Sequence, residues 1–308
     1  MPRRLRRCVF PALLPLLLAS VGVGLVDGVV APRRAGAVPD STGVTSRVSV
    51  KTGGAQADAE VPAGAGQPAV SDNGAVVAFV SDATNLVPDD HNGVADVFVS
   101  QNGTIKRVSL GANFTEADGP SGLDTLPGTH PQVALSADGR FVAFTSAADN
   151  LVPGDTNGAL DVFVYDRQQS TITRVSVADD GSQANGDSRS PSIDDTGTVI
   201  AFTSSATNLV PGDTNGKPDV FVRTLGTNPS TQLVSVATGG SPGNDASDVP
   251  SLNTMGTQVA FSSDATDLVT KDTNGKTDVF LRDLTAKTTE LVSVKNGGSS
   301  VQGNGDSF

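Results

Sequence analysis

One segment of this sequence is written four times, and this repetition limits the possible fold more than any other feature. An Ala-Phe pair with apolar neighbours recurs as VVAF at 76–79, FVAF at 141–144, VIAF at 199–202 and QVAF at 258–261. A second segment follows each copy, as DVFV at 96–99, 161–164 and 219–222 and as DVFL at 278–281. Because β-branched and aromatic residues favour a pleated, buried sheet, both segments are predicted to be strands.

Two further strand-like segments complete each repeat. One reads RVSL at 107–110, RVSV at 174–177, LVSV at 233–236 and LVSV at 291–294. The other precedes each Ala-Phe segment; it opens at Pro68, Pro131, Pro191 and Pro250 and closes in a turn at Gly74, Gly139, Gly197 and Gly256. Units of about 60 residues with four short strands indicate an all-β fold, a β-propeller made of four-stranded antiparallel blades. Each blade buries its apolar faces against its neighbours.

The second repeat carries a resemblance to a known family. The segment LSADGRFVAF at 135–144, followed by DVFVYD at 161–166, resembles the WD40-like repeat of the TolB propeller family, and the likeness covers nearly all of residues 46–308. The resemblance implies a propeller that mainly binds other molecules. In some peptidases a related propeller is attached to a separate hydrolase domain, but no segment of this sequence fits such a domain.

The repeats divide the chain into segments. Four predicted blades occupy 67–110, 131–177, 190–236 and 249–294. Residues 38–66 precede them and contain RVSV at 47–50, a last strand without its first three, and the tail at 295–308 starts an unfinished repeat. The chain therefore forms either a four-bladed ring with spare ends or an arc of a larger propeller, and the unmatched ends favour the arc.

Residues 1–37 have the pattern of a signal peptide. A cluster of arginines at 3–7 precedes an apolar run at 9–26, and the small residues at 35–37 fit cleavage after Ala37. A retained membrane anchor and a loose twin-arginine export signal are the alternatives. Cys8 is the single cysteine, so the mature chain has no thiol for a disulfide or a metal. We expect a secreted or otherwise extracytoplasmic protein, in the periplasm or at the cell surface.

The charge of the mature chain limits its partners. The whole chain has 21 basic and 33 acidic residues, and removing the six arginines and one aspartate of residues 1–37 leaves a formal charge of −17. Phosphate groups are neutralised by clustered Lys and Arg, so nucleic acid is excluded as a partner and insertion into a membrane is not expected after signal removal. A protein, peptide or glycan ligand and cations are compatible with this charge.

A loop of constant length is the best candidate for a site. The Phe of the second strand and the Asp of the third are 17 residues apart in all four repeats. The loops start at Asp90, Asp155, Asp213 and Asp272, continue through Asn92, Asn157, Asn215 and Asn274, and end at Asp96, Asp161, Asp219 and Asp278. These oxygens suit Ca²⁺, which takes six to eight oxygen ligands. The loop resembles a shortened form of the Asp-rich calcium loops of other propellers, without their extra acidic position or a bidentate Glu.

The same pattern has a purely structural interpretation. Asp and Asn side chains cap backbone N–H groups in Asx turns, and Gly takes positive φ beside them, which also repeats at fixed length. Ca²⁺ is therefore a possible ligand rather than an established cofactor. The polar residue of the preceding Asn-Leu-Val or Asp-Leu-Val triplet (Asn85, Asn150, Asn208 and Asp267) is predicted to pin the loop while the Leu packs inward.

Little in the sequence points to catalysis, and no catalytic residue is predicted. His91 and His130 are the only histidines, and both are expected at the surface. Acidic pairs at 179–180 and 194–195 crowd the third repeat, and a propeller channel can bring distant acids together. The long insertion at 114–129 is a candidate recognition loop or a disordered excursion.

Three functions follow from these patterns. A non-catalytic, secreted or surface-attached binding or scaffold module, with loops that Ca²⁺ could stiffen, fits best. A glycan-active lyase or hydrolase that uses channel carboxylates is the second, although no Arg, His or Tyr cluster accompanies the acids. A structural repeat segment of a larger envelope protein is the third.

Overall fold

The computed structural model of this chain describes residues 45–59, 67–124, 132–270, 272–295 and 302–308. Within these ranges sixteen strands form four antiparallel sheets of four strands, and each sheet keeps its strands in chain order. The all-β, four-stranded blade predicted from the repeats is confirmed. The predicted signal peptide with Cys8, residues 60–66, His130 and Pro131 lie outside the described residues.

The strands of the four blades have nearly the same lengths from blade to blade. Blade 1 comprises β1 Ala69–Val70, β2 Val76–Ser81, β3 Asp96–Gln101 and β4 Thr104–Arg107. Blade 2 comprises β5 Val133–Leu135, β6 Phe141–Ser146, β7 Asp161–Asp166 and β8 Thr171–Arg174. Blade 3 comprises β9 Ser188–Ile193, β10 Val199–Ser204, β11 Asp219–Thr224 and β12 Ser230–Leu233. Blade 4 comprises β13 Ser247–Leu252, β14 Gln258–Ser263, β15 Asp278–Asp283 and β16 Thr288–Leu291. One 3₁₀ helix, Ala112–Phe114, follows blade 1.

A pair of phenylalanines lies at the centre of every blade. The Phe of the second strand stands directly opposite the Phe of the third strand, and their ring centroids are 5.8–6.1 Å apart. All eight of these side chains are buried, as the repeat predicts: Phe79, Phe98, Phe144, Phe163, Phe202, Phe221, Phe261 and Phe280. Cross-strand aromatic pairs of this kind stabilise a sheet beyond the area that they bury.

Consecutive blades share their apolar cores. Three of the buried clusters take residues from two neighbouring sheets, for example Val97 of blade 1 with Phe144 of blade 2. The turn between the first and second strands also contacts the preceding blade, because a Cβ on Gly197 would lie 2.0 Å from the Phe141 ring. Gly197 has a φ of +74° as well, so glycine is required there for two independent reasons.

The described sheets are not closed into a ring. Blade 2 packs against blade 1, blade 3 against blade 2 and blade 4 against blade 3, which is a linear order of neighbours. This agrees with the predicted arc rather than with a closed four-bladed ring. No helix of the described residues is long and apolar enough to cross a membrane.

Both ends of the described chain repeat the internal connections between blades. A β-bridge joins Val177 to Gln183 between blades 2 and 3, and the same bridge joins Val50 to Gln56 before blade 1. After blade 4, the Ser307 N–H donates to the Thr277 carbonyl at 2.8 Å, as the Ser188 N–H donates to Leu160 at 2.6 Å. The segments predicted as an orphan strand and an unfinished repeat thus have the structure of blade connections.

The first strands of blades 3 and 4 begin earlier than predicted. They start at Ser188 and Ser247, two residues before the predicted blade limits of 190 and 249. Proline has no N–H to donate to the ladder, and each strand continues across its proline through a register shift. The residue before each proline has positive φ there, +55° at Ser190 and +53° at Val249.

Part of the insertion before blade 2 replaces the beginning of a first strand. The Ser121 hydroxyl lies 2.8 Å from that of Ser146, as the Ser188 hydroxyl lies 2.9 Å from Ser204 in blade 3. Ala117, Gly119, Ser121, Gly122 and Asp124 are buried, so this part of the insertion packs on the blades. The rest of the insertion, residues 125–129, lies outside the described residues.

The buried phenylalanine pairs predict a large effect of truncation. Phe163→Ala should lower the free energy of unfolding by about 3–5 kcal/mol, because it leaves a cavity between two blades. Phe114→Ala should change it by about 0.5 kcal/mol or less, because that ring is 73% exposed. Urea denaturation of both variants measures the difference. Equal losses in the two variants would contradict the assignment of Phe163 to the core.

Candidate functional site

The four Asp–Asn loops, residues 90–96, 155–161, 213–219 and 272–278, join the second strand of each blade to the third. Each loop ends in an aspartate, here called the strand-start Asp, whose side chain is fully buried: Asp96, Asp161, Asp219 and Asp278. A buried carboxylate is costly unless hydrogen bonds and charges compensate it. The groups that bind the strand-start Asp therefore decide whether its charge is already compensated or is free to bind a ligand.

Two side chains hold the strand-start Asp in every blade. In blade 3 the Ser235 hydroxyl donates to one Asp219 oxygen at 2.5 Å, and the Asn215 amide donates to the other at 2.8 Å. Ser235 in turn accepts the Val220 N–H at 3.1 Å. Blades 1, 2 and 4 repeat this arrangement with Ser109 and Asn92, Ser176 and Asn157, and Ser293 and Asn274.

The loop asparagine also forms the predicted Asx turn. In blade 2 the Asn157 carbonyl oxygen accepts the Ala159 N–H at 3.1 Å, and Gly158 follows with a φ of +60°. The Asn157 amide donates a second hydrogen bond, at 3.1 Å, to the Ala184 carbonyl in the connection to blade 3. The turn is present in all four loops, and each loop is bonded to the connection that leads onward.

The triplet before each loop adds a further attachment to the neighbouring connection. The Asn208 amide donates to the Gln183 carbonyl at 2.8 Å, and the Asn208 carbonyl oxygen accepts the Asn185 N–H at 3.0 Å. The leucine of every triplet is buried, at Leu86, Leu151, Leu209 and Leu268. Both parts of that prediction, a pinning polar side chain and an inward leucine, are confirmed.

In blades 1 and 2 an arginine neutralises the aspartate at the start of the loop, here called the loop-start Asp. In blade 1, Nη1 of Arg107 lies 2.9 Å from Asp90 and 3.0 Å from Asp96. In blade 2, Nη1 of Arg174 lies 2.6 Å from Asp155 and 3.4 Å from Asp161. A guanidinium of the chain itself thus occupies the position between the two carboxylates where the sequence left Ca²⁺ as a possible ligand.

Blades 3 and 4 have no such arginine, because leucines 233 and 291 stand at its position on the last strand. In blade 4, the Gln302 amide donates to one oxygen of Asp272 at 3.0 Å, and the other oxygen has no hydrogen-bond partner among the described residues. In blade 3, both oxygens of Asp213 are buried without a hydrogen-bond partner in the described part of the chain.

The pKa values of these carboxyls reflect their burial. Burial raises the pKa of Asp219 to about 6; Ser235 and Asn215 oppose the rise, and the nearby Asp213 charge adds to it. Burial also raises the pKa of Asp213; the Asn215 backbone N–H, which lies near the carboxylate without an aligned hydrogen bond to it, only partly offsets the rise. In blade 1, where the Arg107 charge opposes burial, the pKa of Asp90 is still raised to about 6.

The other predicted candidates do not assemble into a reactive group. His91 is exposed, and its backbone N–H donates to Glu116 at 2.7 Å. The acidic pair 179–180 lies in the loop before β9, whereas the pair 194–195 lies in the turn after it, so the strand separates them. No group of three His, Cys, Asp or Glu side chains among the described residues is arranged to hold a metal.

The ion pairs of three arginines were not anticipated from the sequence. Arg107 and Arg174 begin the repeated RVS motif, and the change from Arg to Leu in the later repeats was the available signal. Arg189 pairs with Asp248 at 2.9 Å across the first strands of blades 3 and 4. The pKa of Asp248 is lowered because the Arg189 charge and hydrogen bonds outweigh its burial, so it is a paired anion rather than a proton donor.

An uncharged groove opens beside the 3₁₀ helix that follows blade 1. It has a volume of about 360 Å³, and its walls include Leu110, Leu151, Pro153, Tyr165 and Ile172. Phe114 lies at its edge with a φ of +61°, directly after Asn113 with a φ of +57°. Positive φ is costly for residues other than glycine, by roughly 1–2 kcal/mol each. The exposed ring therefore stands on a backbone segment of strained conformation.

Comparison with known proteins gives similarity of structure only. No protein-family model and no curated protein matches the sequence. TolB from Acinetobacter baumannii aligns at 15% identity over 73% of this chain and 42% of its own length, with a TM-score of 0.42. A putative TolB from Agrobacterium tumefaciens aligns at 17% identity over 77% of this chain and 67% of its own, with a TM-score of 0.42.

Enzymes are also among the similar structures. Oligogalacturonate lyase from Vibrio parahaemolyticus aligns at 11% identity over 73% of this chain and 50% of its own length, with a TM-score of 0.40. The similar structures are thus TolB-like and other propeller proteins, and this chain spans less than half of the A. baumannii TolB. Identities and scores at this level carry no information about activity or ligand.

The hydrogen bonds of the strand-start Asp predict a measurable contribution from the serine. Ser235→Ala removes the donor to Asp219 and the acceptor for the Val220 N–H, and both remaining groups are buried. A hydrogen bond to a charged group contributes about 1.5–3 kcal/mol, so the unfolding free energy should fall by that amount. Ser241→Ala, at an exposed serine, is the matched control for urea denaturation. If the two variants are equally stable, the network does not stabilise the blade.

Proposed function

We propose that this chain is a non-catalytic binding or scaffold module, and that the groove beside Phe114 receives an apolar side chain of a protein partner. The observation that carries the proposal is an exposed aromatic ring, on a backbone of strained conformation, at the edge of an uncharged groove. Aromatic side chains in such positions contribute large contact areas at protein interfaces.

The rigidity of the groove supports this role. Its walls come from the last strand of blade 2, the loop before the Asp–Asn loop of that blade and the connection from blade 1. The Asn150 amide fixes the loop to that connection through the Glu116 carbonyl at 2.8 Å, and Asp118 accepts the Asp149 N–H at 2.9 Å. A preformed site loses little conformational entropy when a ligand binds.

The charge around the groove indicates the composition of the partner. No residue among its described walls is charged, whereas Asp118 and Asp149 are exposed close to it in sequence and in space. The predicted mature chain has a formal charge of −17. An apolar side chain flanked by Lys or Arg is therefore the complementary ligand.

The compartment is part of the same proposal. We infer an extracytoplasmic location from the signal peptide pattern and from a predicted mature chain without cysteine. N-terminal sequencing of the exported chain should place its first residue near Val38, and an intact Met1 on cytosolic material would contradict the inference.

Peptide selection tests the groove directly. Random peptides displayed on phage and selected on the chain should be enriched in sequences with an aromatic or aliphatic residue beside Lys or Arg. Phe114→Ser should weaken the binding of a selected synthetic peptide at least about tenfold, because it removes the exposed aromatic anchor at the edge of the groove. Fluorescence polarisation measures the Kd.

Met255→Ser is the matched control, because Met255 is 71% exposed in a turn of blade 4, away from the groove. It should leave peptide binding unchanged. Selection of no peptide, or equal losses in the two variants, would rule out the groove as the binding site.

A further inference from the structure

The four Asp–Asn loops have one backbone arrangement but different surroundings. In all four, the loop Asn donates to the strand-start Asp and to the next connection, and the Ser of the last strand donates to the same Asp. The loop-start Asp stands six residues before the strand-start Asp in each blade. Blades 1 and 2 therefore show which kind of group belongs beside this carboxylate, and that group is a cation.

Blade 3 lacks both kinds of side chain that bind the loop-start Asp in the other blades, the arginine of blades 1 and 2 and the glutamine of blade 4. Leu233 stands at the position of the arginine. In the strand register Leu233 lies opposite Phe221, just as Arg174 lies opposite Phe163 in blade 2. A β-bridge identifies the second position: it joins Val177 to Gln183 in the connection after blade 2 and Val236 to Pro242 after blade 3. Gln302 holds this second position after blade 4, where it donates to Asp272.

Asp213 is left with two unsatisfied oxygens. Its exposure is 6%, and neither carboxylate oxygen has a hydrogen-bond partner in the described part of the chain. The fully buried Asp219 lies close enough to interact with it electrostatically. Two neighbouring carboxylates without a counter-charge are strongly unfavourable inside a protein, because each charge has lost its hydration.

A surface pocket adjoins this position. It has a volume of about 480 Å³ and is lined by Gly212, the residue before Asp213, and by Leu233 and Pro242. Two cationic side chains of blade 4, Arg282 and Lys287, also line it, but neither forms an ion pair with Asp213. The two residues that replace the arginine and the glutamine thus face a space that solvent and small ions can enter. In blade 1 the carbonyl of Asp89, which corresponds to Gly212, also accepts from the guanidinium at 2.8 Å.

We propose that a divalent cation of the Ca²⁺ type binds in blade 3, between Asp213 and Asp219, at the position that a guanidinium occupies in blades 1 and 2. The ligands are the two free oxygens of Asp213, one oxygen of Asp219 and the carbonyl of Gly212. Water from the adjoining pocket completes the six to eight oxygens that Ca²⁺ takes. Two carboxylates and several waters make a weak site, with a Kd of roughly 10⁻⁴–10⁻³ M.

Calorimetry and thermal melting of the full mature chain test the site with CaCl₂ as the probe. After treatment with chelator, the chain should bind one Ca²⁺, and its melting temperature should rise by roughly 3–6 °C at about ten times Kd. Asp213→Asn keeps the volume of the side chain but removes its charge, and should abolish both effects. Asp180→Asn, at an exposed aspartate, is the control for non-specific binding and should retain them.

Leu233→Arg supplies the guanidinium of blades 1 and 2. It should raise the melting temperature in chelator and remove the response to Ca²⁺, because the arginine takes the cation position. If it does not fold, Asp213→Asn still decides the question.

Three results would overturn the proposal. The first is an unmutated chain whose melting temperature is the same in Ca²⁺ and in chelator. The second is an Asp213→Asn variant that retains the Ca²⁺ response. The third is a response that disappears with Asp272→Asn but not with Asp213→Asn, which would place the cation in blade 4.

Discussion

The buried strand-start Asp is the interaction on which the other features of the blades depend. Asp161 receives the Ser176 hydroxyl from the last strand and the Asn157 amide from the loop, and Asn157 also donates to the connection that leads to blade 3. One carboxylate therefore joins the loop, two strands and the next blade. Because a carboxylate without partners is unfavourable in a core, these elements are stable only together.

The repeats use this common network with different counter-charges. Arginines neutralise the paired carboxylates in blades 1 and 2, and a glutamine partly satisfies those of blade 4. In blade 3, a pocket adjoins Gly212, the residue before Asp213. The apolar groove, in contrast, lies beside blade 2, where the connection from blade 1 contains the insertion. The proposed cation position and the groove thus lie in different blades of one scaffold. Repeats with the same fold can therefore differ in what they bind.

Most of the architecture follows from the sequence because it depends on local patterns. The Ala-Phe and Asp-Val-Phe segments are rich in the β-branched and aromatic residues that suit buried strands, and the Asn-Gly pairs favour turns. The cation positions were not distinguishable, since the change from Arg174 to Leu233 resembles an ordinary substitution within a strand. Only the fold brings Leu233 and Pro242 together with Gly212, the residue before Asp213, around one pocket. The packing of Ser121 against Ser146 could not be predicted either, because Ser121 lies in a Gly-rich and Pro-rich insertion without a strand pattern.

Native-state hydrogen exchange tests the central claim most directly, because it measures the stability of individual amides. In the Asp161→Ala variant, exchange should accelerate at Val162, whose N–H donates to Ser176, and in the connection around Ala184, which lies between blades 2 and 3. The amides of blade 4 should exchange as in the unmutated chain. Acceleration confined to residues 155–161 would contradict the claim, because the carboxylate would then hold only its own loop.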